Sequence, residues 1–237
     1  MRKTPNSIEG FAKYALDPEG YHKDVYERGV TTSGLWFFAR NAAMWDLGYN
    51  EFAKNPNNEA NNLTRIQEAV DEITQRFDDI IITEHMDEGL ILLADKLCWS
   101  IDDVIEFRQN IELNKDDMSL VTEEGRRKLK EFCKADDILY ETALNIFYER
   151  RKKFGEQKMQ EKLHELRSKR EDLLRHCVVD NKPFPASELR DKFHAIVNPP
   201  GIVIGGWKLK NESDVQWCWV FSFLVTSFHV ISNSLHA

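Results

Sequence analysis

The segment from Leu63 to Leu97 limits the possible folds more than any other part of the chain. Leu63, Ile66, Val70, Ile73 and Phe77 recur at spacings of three and four residues, which lines them up on one face of an amphipathic helix. Asp78-Asp79 closes that pattern. Ile80-Ile81-Ile82-Thr83 follows, a short β-branched run bounded by charge, and it predicts a buried strand. Asp87 and Glu88 then open a second helix through Leu90, Leu93, Ala94 and Leu97. Acidic side chains suit a first turn because they face the positive end of the helix dipole. Helix, strand and helix in that order predict an α/β unit.

The remainder reads as mostly helical. Residues 5–30 give short helical turns broken at Pro18, Gly20 and Gly29, with a start near Ser7 and a stop at Asp17-Pro18. Residues 34–49, GLWFFARNAAMWDLGY, are dense in aromatics and belong in a core or around a pocket. Residues 50–61 are a polar, Asn-rich loop, and residues 101–109 are either a short helix or extended. Thr122-Glu123-Glu124 starts a helical region that runs to about Phe154, where Gly155 interrupts it. Beyond it, Met159, Leu163, Leu166, Leu173 and Cys177 form one apolar stripe broken by Arg170, short for a coiled coil. Pro183, Pro185, Pro199 and Pro200 mark loops.

Charge and cysteine content remove several function classes. The chain's 237 residues include 32 basic and 40 acidic side chains, a net charge of −8, so it has no general attraction to nucleic acid. Cys98, Cys133, Cys177 and Cys218 form no C-x-x-C pair and have no His at ligand spacing, which argues against a metal site. One or two disulfides are open to it in an oxidising compartment. Asn62-Leu63-Thr64 and Asn211-Glu212-Ser213 fit the N-glycosylation acceptor pattern and permit a secretory location. No apolar run follows the basic residues of MRKTPNSIEGF, so these residues are not a signal peptide. From Val215 to Ala237 there is no Asp, Glu, Lys or Arg, and VQWCWVFSFLVTSFHVI is almost continuously apolar. That run is close to the ~20 residues of a membrane span, and its aromatic and β-branched content also suits a buried strand.

The sequence has no Gly-rich phosphate cradle, no nucleophile elbow and no H-E-x-x-H. Its densest polar constellation is Thr83-Glu84-His85-Met86-Asp87-Glu88, directly after the expected strand. Ligands of open α/β sheets bind beyond the carboxyl ends of strands. Glu84 or His85 there can accept a proton or hold a sugar hydroxyl, or be an ordinary surface residue. The simpler role of Asp87 and Glu88 is to charge the helix start. A second cluster is Arg40, Asn41, Trp45 and Asp46. Trp faces stack on sugar rings, and Asn and Asp hydrogen-bond hydroxyls, whereas Trp36 and Phe37 read as core aromatics. The run Arg150-Arg151-Lys152-Lys153 either meets an anion or is a solvated helix face near a C-terminus.

Several segments together resemble the galactose-3-O-sulfotransferase family, which includes the galactosylceramide sulfotransferases. The clearest is IITEHMDEGLILLADKLCWSIDDVIEFRQN at 81–110. It is similar to the family's strand, acidic E-x-x-D-E-S-L-like turn, leucine-rich helix, Cys-Trp and Asp-Asp-Val. Glu84, Asp87, Glu88, Leu90, Cys98, Trp99, Asp102, Asp103 and Val104 fill those places, and Gly89 stands where the family has Ser. ARNAAMWDLGY at 39–49 resembles the family's R-N-x-M-x-F-D-x-G through Arg40, Asn41, Asp46 and Gly48. The region holding Cys133, Tyr140 and Cys177, with LLRHCVVDNKP, is a third match, and PPGIVIGGWKLKN at 199–211 a weaker fourth. The resemblance covers about residues 5–211.

The resemblance implies an α/β sulfotransferase fold related to the P-loop kinases, here helix-rich, with the N-terminal donor-binding strands missing. Residues 1–211 are then the C-terminal part of a sulfotransferase domain, and 212–237 an atypical apolar tail. It also implies sulfate transfer from PAPS, as co-substrate and without a metal, to the 3-hydroxyl of galactose on a glycolipid or glycan at the lumenal side of the Golgi membrane. The family's donor-binding loop and 3′-phosphate segment are not found among these residues, so the chain is expected to be inactive alone. On the acceptor side the expected hydroxyl-binding groups are Asn41, Glu84 and His85. Two other readings stand beside this one: a non-enzymatic helical interaction protein built on 122–177, and a protein tethered to a membrane by 215–231.

Overall fold

A computed structural model describes residues 8–27, 40–53, 61–107, 111–113, 118–185, 188 and 204–210. They form two compact units. One takes the described residues up to Glu84 and those from 118 to Tyr148; the other takes His85 to 113 and Glu149 to 210.

In the first unit, α1 (Ile8–Leu16) and α2 (Pro18–Glu27) are separated by a single residue. Pro18 ends one helix and starts the next, because its fixed φ suits a first helical position and its missing N–H costs nothing there. Gly20 does not break the chain. It lies inside α2, and its N–H donates to Asp17 Oδ1 at 3.2 Å. The short α3 (Ala42–Asp46) follows, then α4 (Leu63–Arg76). Asn62 caps α4 by accepting the Arg65 N–H at 3.3 Å. Ile66, Val70 and Ile73 are buried as the periodicity predicts, but Leu63 and Phe77 at the two ends are 59% and 41% exposed.

The run Ile80–Thr83 departs from expectation. Ile81 and Ile82 are buried, yet only Ile82 makes a bridge, and Thr83–His85 is a 3-10 turn. The two isoleucines are thus buried with a single bridge rather than an extended ladder.

Thr122 caps α6 (Glu123–Phe132) by accepting the Gly125 N–H at 3.2 Å. A Cβ on Gly125 would lie 3.1 Å from the Ala15 Cβ, so α1 and α6 approach closely because the position carries no side chain. Tyr14, Ala15, Val121, Leu129 and Phe132 form one core cluster of this unit. A second holds Met44, Phe52, Ile66, Val70, Ile73 and Leu139. Leu139 belongs to α7 (Lys134–Phe154), which carries residues of both units.

In the second unit, α5 (Met86–Leu97) leads to a 3-10 turn at Ile101–Val104. Cys98 closes α5 in the left-handed region at φ 55, and the Trp99 N–H donates to the Ala94 carbonyl at 2.8 Å. Gly155, at φ 96, turns the chain from α7 into α8 (Glu156–Cys177); a side chain there would be strained. The stripe Met159, Leu163, Leu166, Leu173 and Cys177 is buried. It is spent inside this unit, where α8 packs on α5 and on the 3-10 turn.

A small sheet completes the second unit, with β1 (Ile111–Glu112), β2 (Val178–Pro185) and β3 (Ile204–Leu209) in the order β1-β3-β2. Both pairings are antiparallel, so the parallel sheet implied by the resemblance is not among the described strands. Helices with a small sheet remain consistent with the α/β class. Pro183 and Pro185 are not in a loop but in β2, opposite Trp207 and Gly205. Proline is tolerated on an edge strand, and the irregularity between Val178 and Pro183, with Asp180 and Asn181 at positive φ, accommodates it. The aromatic-rich 34–39, the apolar 215–237 and Pro199-Pro200 lie outside the described residues. Among those described, no helix is long and apolar enough to cross a membrane.

Ile73→Ala should cost about 2–5 kcal/mol through its cavity. Leu63→Ala should change stability by no more than about 0.5 kcal/mol, and paired urea melts of the two variants check the contrast.

Candidate functional site

The sequence-predicted residues fall into two settings. Asn41 lies in the first unit, fully buried and at φ 47. Its Nδ2 donates to the Phe52 carbonyl at 2.8 Å, and its Oδ1 accepts the N–H groups of Ala135 and Asp136, both at 3.1 Å. Those are orphan donors at the start of α7. Asp136 answers in kind: its carboxylate accepts the N–H groups of Ala43 at 3.1 Å and Met44 at 2.9 Å, at the start of α3. Burial pushes the Asp136 carboxyl up to about 6, against the opposing pull of three backbone N–H donors.

Arg40 seals the same corner. Its Nε donates to the Phe132 carbonyl at 3.2 Å, its Nη2 to Asn61 Oδ1 at 3.1 Å, and its guanidinium lies 4.9 Å from the Phe132 ring centroid. Burial pulls the Arg40 pKa down. Cys133 packs beside it, and burial pushes that thiol up to about 12. The Asn41 carboxamide therefore serves the backbone. Trp45 is half-buried and Asp46 exposed on α3.

Glu84 and His85 share the 3-10 turn at Thr83–His85. Glu84 is exposed. Tyr140 in the same unit is buried; that burial raises its pKa, and the Glu84 charge raises it further.

His85 opens α5, and its Nδ1 lies 2.8 Å from Glu88 Oε2. A carboxylate only accepts, so in the neutral ring Nδ1 carries the proton and Nε2 the lone pair. The other oxygen of Glu88 takes the Arg151 Nε–H at 2.6 Å, and Arg151 grips Glu156 with two further bonds at 2.7 and 3.0 Å. Asp87 is clamped by Arg170 at 2.8 Å and Arg167 at 3.2 Å. Burial pushes the Asp87 carboxyl up, but the two guanidiniums outweigh it and hold its pKa below the ordinary value. Glu106, almost fully buried, lies 3.6 Å from Arg170.

Asp87 and Glu88 thus do more than charge a helix start, since Asp87 pins the first turn of α5 to α8 and Glu88 pins it to the end of α7. The far end is pinned as well. Lys169 meets both oxygens of Asp102 at 2.7 Å, and Ser100 and Asp103 form a capping box. Of the basic run, Arg151 is bound in this frame, while Lys152 and Lys153 are exposed. Sequence reasoning missed Arg151, Arg167 and Arg170 as partners of the acidic turn. The signal for Arg170 was its interruption of an apolar stripe, because a charge at a buried position needs a counter-charge.

A family profile described as galactose-3-O-sulfotransferase matches residues 1–227. The chain belongs to the galactose-3-O-sulfotransferase family. It is similar to a galactosylceramide sulfotransferase of Mus musculus, 27% identical over 212 residues that cover 89% of this chain and 47% of that protein. It is also similar to galactose-3-O-sulfotransferase 2 of Sus scrofa, 28% identical over 65% of this chain and 37% of that protein. A third relative is galactose-3-O-sulfotransferase 4 of Bos taurus, 30% identical over 59% of this chain and 32% of that protein. The chain thus spans roughly a third to a half of the length of these relatives. No solved structure matches it.

Within this family member, Cys98 and Cys133 are not in a disulfide, and Cys177 is disulfide-bonded. Among the described residues, no group of three His, Cys, Asp or Glu is placed to hold a metal ion.

Asn41→Ala should cost more than about 2 kcal/mol, since it loses a cap worth about 1 kcal/mol and strains a left-handed residue by roughly 1–2 kcal/mol. Asn41→Gly, which keeps the backbone angle, should cost less in the same denaturant melts. Because the native Asp136 carboxyl sits at about 6, above the unfolded value, the folded state binds the extra proton and its stability falls as pH rises from about 4 to 6. Wild type should therefore gain stability relative to Asp136→Asn as pH is lowered from 7 to 4, a comparison in which the other carboxylates cancel.

Proposed function

We propose that this chain forms the acceptor side of an enzyme transferring the sulfuryl group of PAPS to the 3-hydroxyl of a galactose on a glycolipid or glycan. The family match over residues 1–227 carries the reading. The names of the relatives supply the galactoside and the sulfotransferase chemistry. The parallel sulfotransferase sheet related to P-loop kinases belongs to the same proposal, as does the division into a sulfotransferase part at 1–211 and an apolar tail at 212–237.

Glu84 and His85 are the groups we assign to acceptor hydroxyls. Glu84 presents an exposed carboxylate from the turn at Thr83–His85, and a carboxylate accepts hydroxyl hydrogen bonds worth roughly 1.5–3 kcal/mol each. His85 is oriented by Glu88, and Glu88 by Arg151, and an imidazole held in this way suits the same task. Asn41 contributes through the backbone that it holds. Sulfuryl transfer builds negative charge on the bridging and sulfate oxygens, so the donor side needs preorganised cations and N–H donors. The sequence has no Gly-rich cradle of the usual pattern for that task, and we assign the donor to none of the described residues. The disulfide at Cys177 supports a lumenal, oxidising location at the Golgi membrane.

Binding of a methyl β-galactoside, followed by ligand-observed NMR, tests the acceptor assignment. Glu84→Ala should weaken it roughly tenfold to a hundredfold with an unchanged melting temperature, and equal affinity would sink the role. Saturating 3′,5′-ADP should leave the melting temperature of this chain unmoved. A native donor site filled at 100 times its dissociation constant would instead stabilise it by about 2.7 kcal/mol.

A further inference from the structure

We propose that Asn62 is an acceptor for an N-linked oligosaccharide, placed so that the glycan leaves the cap of α4 intact. The proposal rests on the lumenal reading above. Asn62-Leu63-Thr64 carries the acceptor pattern, with Leu rather than Pro in the middle and Arg65 after it.

The three residues sit where a large modification is sterically accepted. Asn62 is the N-cap of α4, with extended backbone angles of φ −76 and ψ 100. Asn62, Leu63 and Thr64 are all exposed. The buried residues of α4 begin only at Ile66.

The cap uses one end of the carboxamide and the modification uses the other. Oδ1 accepts the Arg65 N–H at 3.3 Å, while glycosylation substitutes Nδ2 and leaves Oδ1 a carbonyl acceptor. In the transfer, the anomeric carbon of a lipid-pyrophosphate-linked oligosaccharide loses its bond to the pyrophosphate oxygen and gains one to Nδ2. The amide gives up one proton, and the lipid pyrophosphate departs. This chain is the substrate of that reaction, and the transferase supplies the catalysis.

Leu63 points to the same site. At 59% it is the most exposed of the described large hydrophobic side chains, on the first turn of a helix whose other leucine-like positions are buried. A sugar ring has an apolar face, and one linked to the preceding residue lies within reach of Leu63 and covers it.

The test is translation of the full chain behind a cleavable signal sequence with microsomes, scoring only protease-protected product. The Ser213→Ala chain keeps Asn62-Leu63-Thr64 as its one acceptor triplet. It should show a single endoglycosidase-sensitive shift, and Thr64→Ala added to it should abolish that shift. Thr64→Ala spares the capping residue, so its loss of modification is not a loss of folding; Asn62→Gln serves as the second variant. A protected Ser213→Ala chain with no shift, or a shift that survives Thr64→Ala, overturns the proposal. A separate arm examines the protein made in cells without the added signal. If it is unmodified there while the microsomal product is modified, the lumenal reading fails and the acceptor assignment stands.

Discussion

Two helix starts in the first unit face each other, and each donates its orphan N–H groups to a side chain of the other. Asn41 Oδ1 takes the first N–H groups of α7, and the Asp136 carboxylate takes those of α3. A helix start leaves four N–H groups without partners, and leaving them buried without acceptors costs free energy. Here the two deficits are met reciprocally, so neither helix is capped unless the other is in place. The two ends lie more than ninety residues apart in sequence, and Phe52, Met44 and Leu139 pack into the core they define. The arrangement has a cost, visible in the burial that lifts Asp136 to about 6.

The second unit is organised by charge. Asp87, Glu88, Asp95 and Asp102 on α5 and the following turn each meet a cation on α7 or α8. The exposed pairs contribute little singly. The Asp87–Arg170 pair is mostly shielded from solvent and linked to Glu106, so breaking it by removing one partner would strand a buried charge. This frame gives His85 a fixed orientation. For the role we propose for His85, such ordering matters, because side chains locked by supporting hydrogen bonds need not be ordered on binding, and the chain Glu156–Arg151–Glu88–His85 supplies those bonds.

Periodic features were legible in the sequence. The face of α4, the stripe of α8, the Thr122 cap and the break at Gly155 all follow from local pattern, and the structure has them. Ile80–Thr83 misled because burial and β-branching suit a strand, whereas the length of a ladder depends on pairing far away in sequence, and here only Ile82 makes a bridge. Pro183 and Pro185 misled because proline excludes a central strand but not an edge one, and edge position is a property of the sheet. Asn41 was singled out within an aromatic-rich segment because an amide there hydrogen-bonds specific partners, an acceptor hydroxyl among them. That those partners are backbone groups at residues 52, 135 and 136 depends on contacts far away in sequence. Glu84 and His85 were singled out from their place after an expected strand, where the structure has a 3-10 turn at Thr83–His85. The arginines that frame the turn were hidden in α8 and the end of α7.

The left-handed backbone at Asn41 also bears on how sequences of this family are compared. Glycine would keep the angle but bring no acceptor. Aspartate would keep the acceptor but lose the donor to Phe52 and bury a charge. Alanine would lose both and strain the chain. No substitution by one of these residues preserves all three properties, so purifying selection at such a position needs no substrate to explain it. An asparagine retained across relatives would give the same signature as a catalytic residue while serving only the fit between two helices.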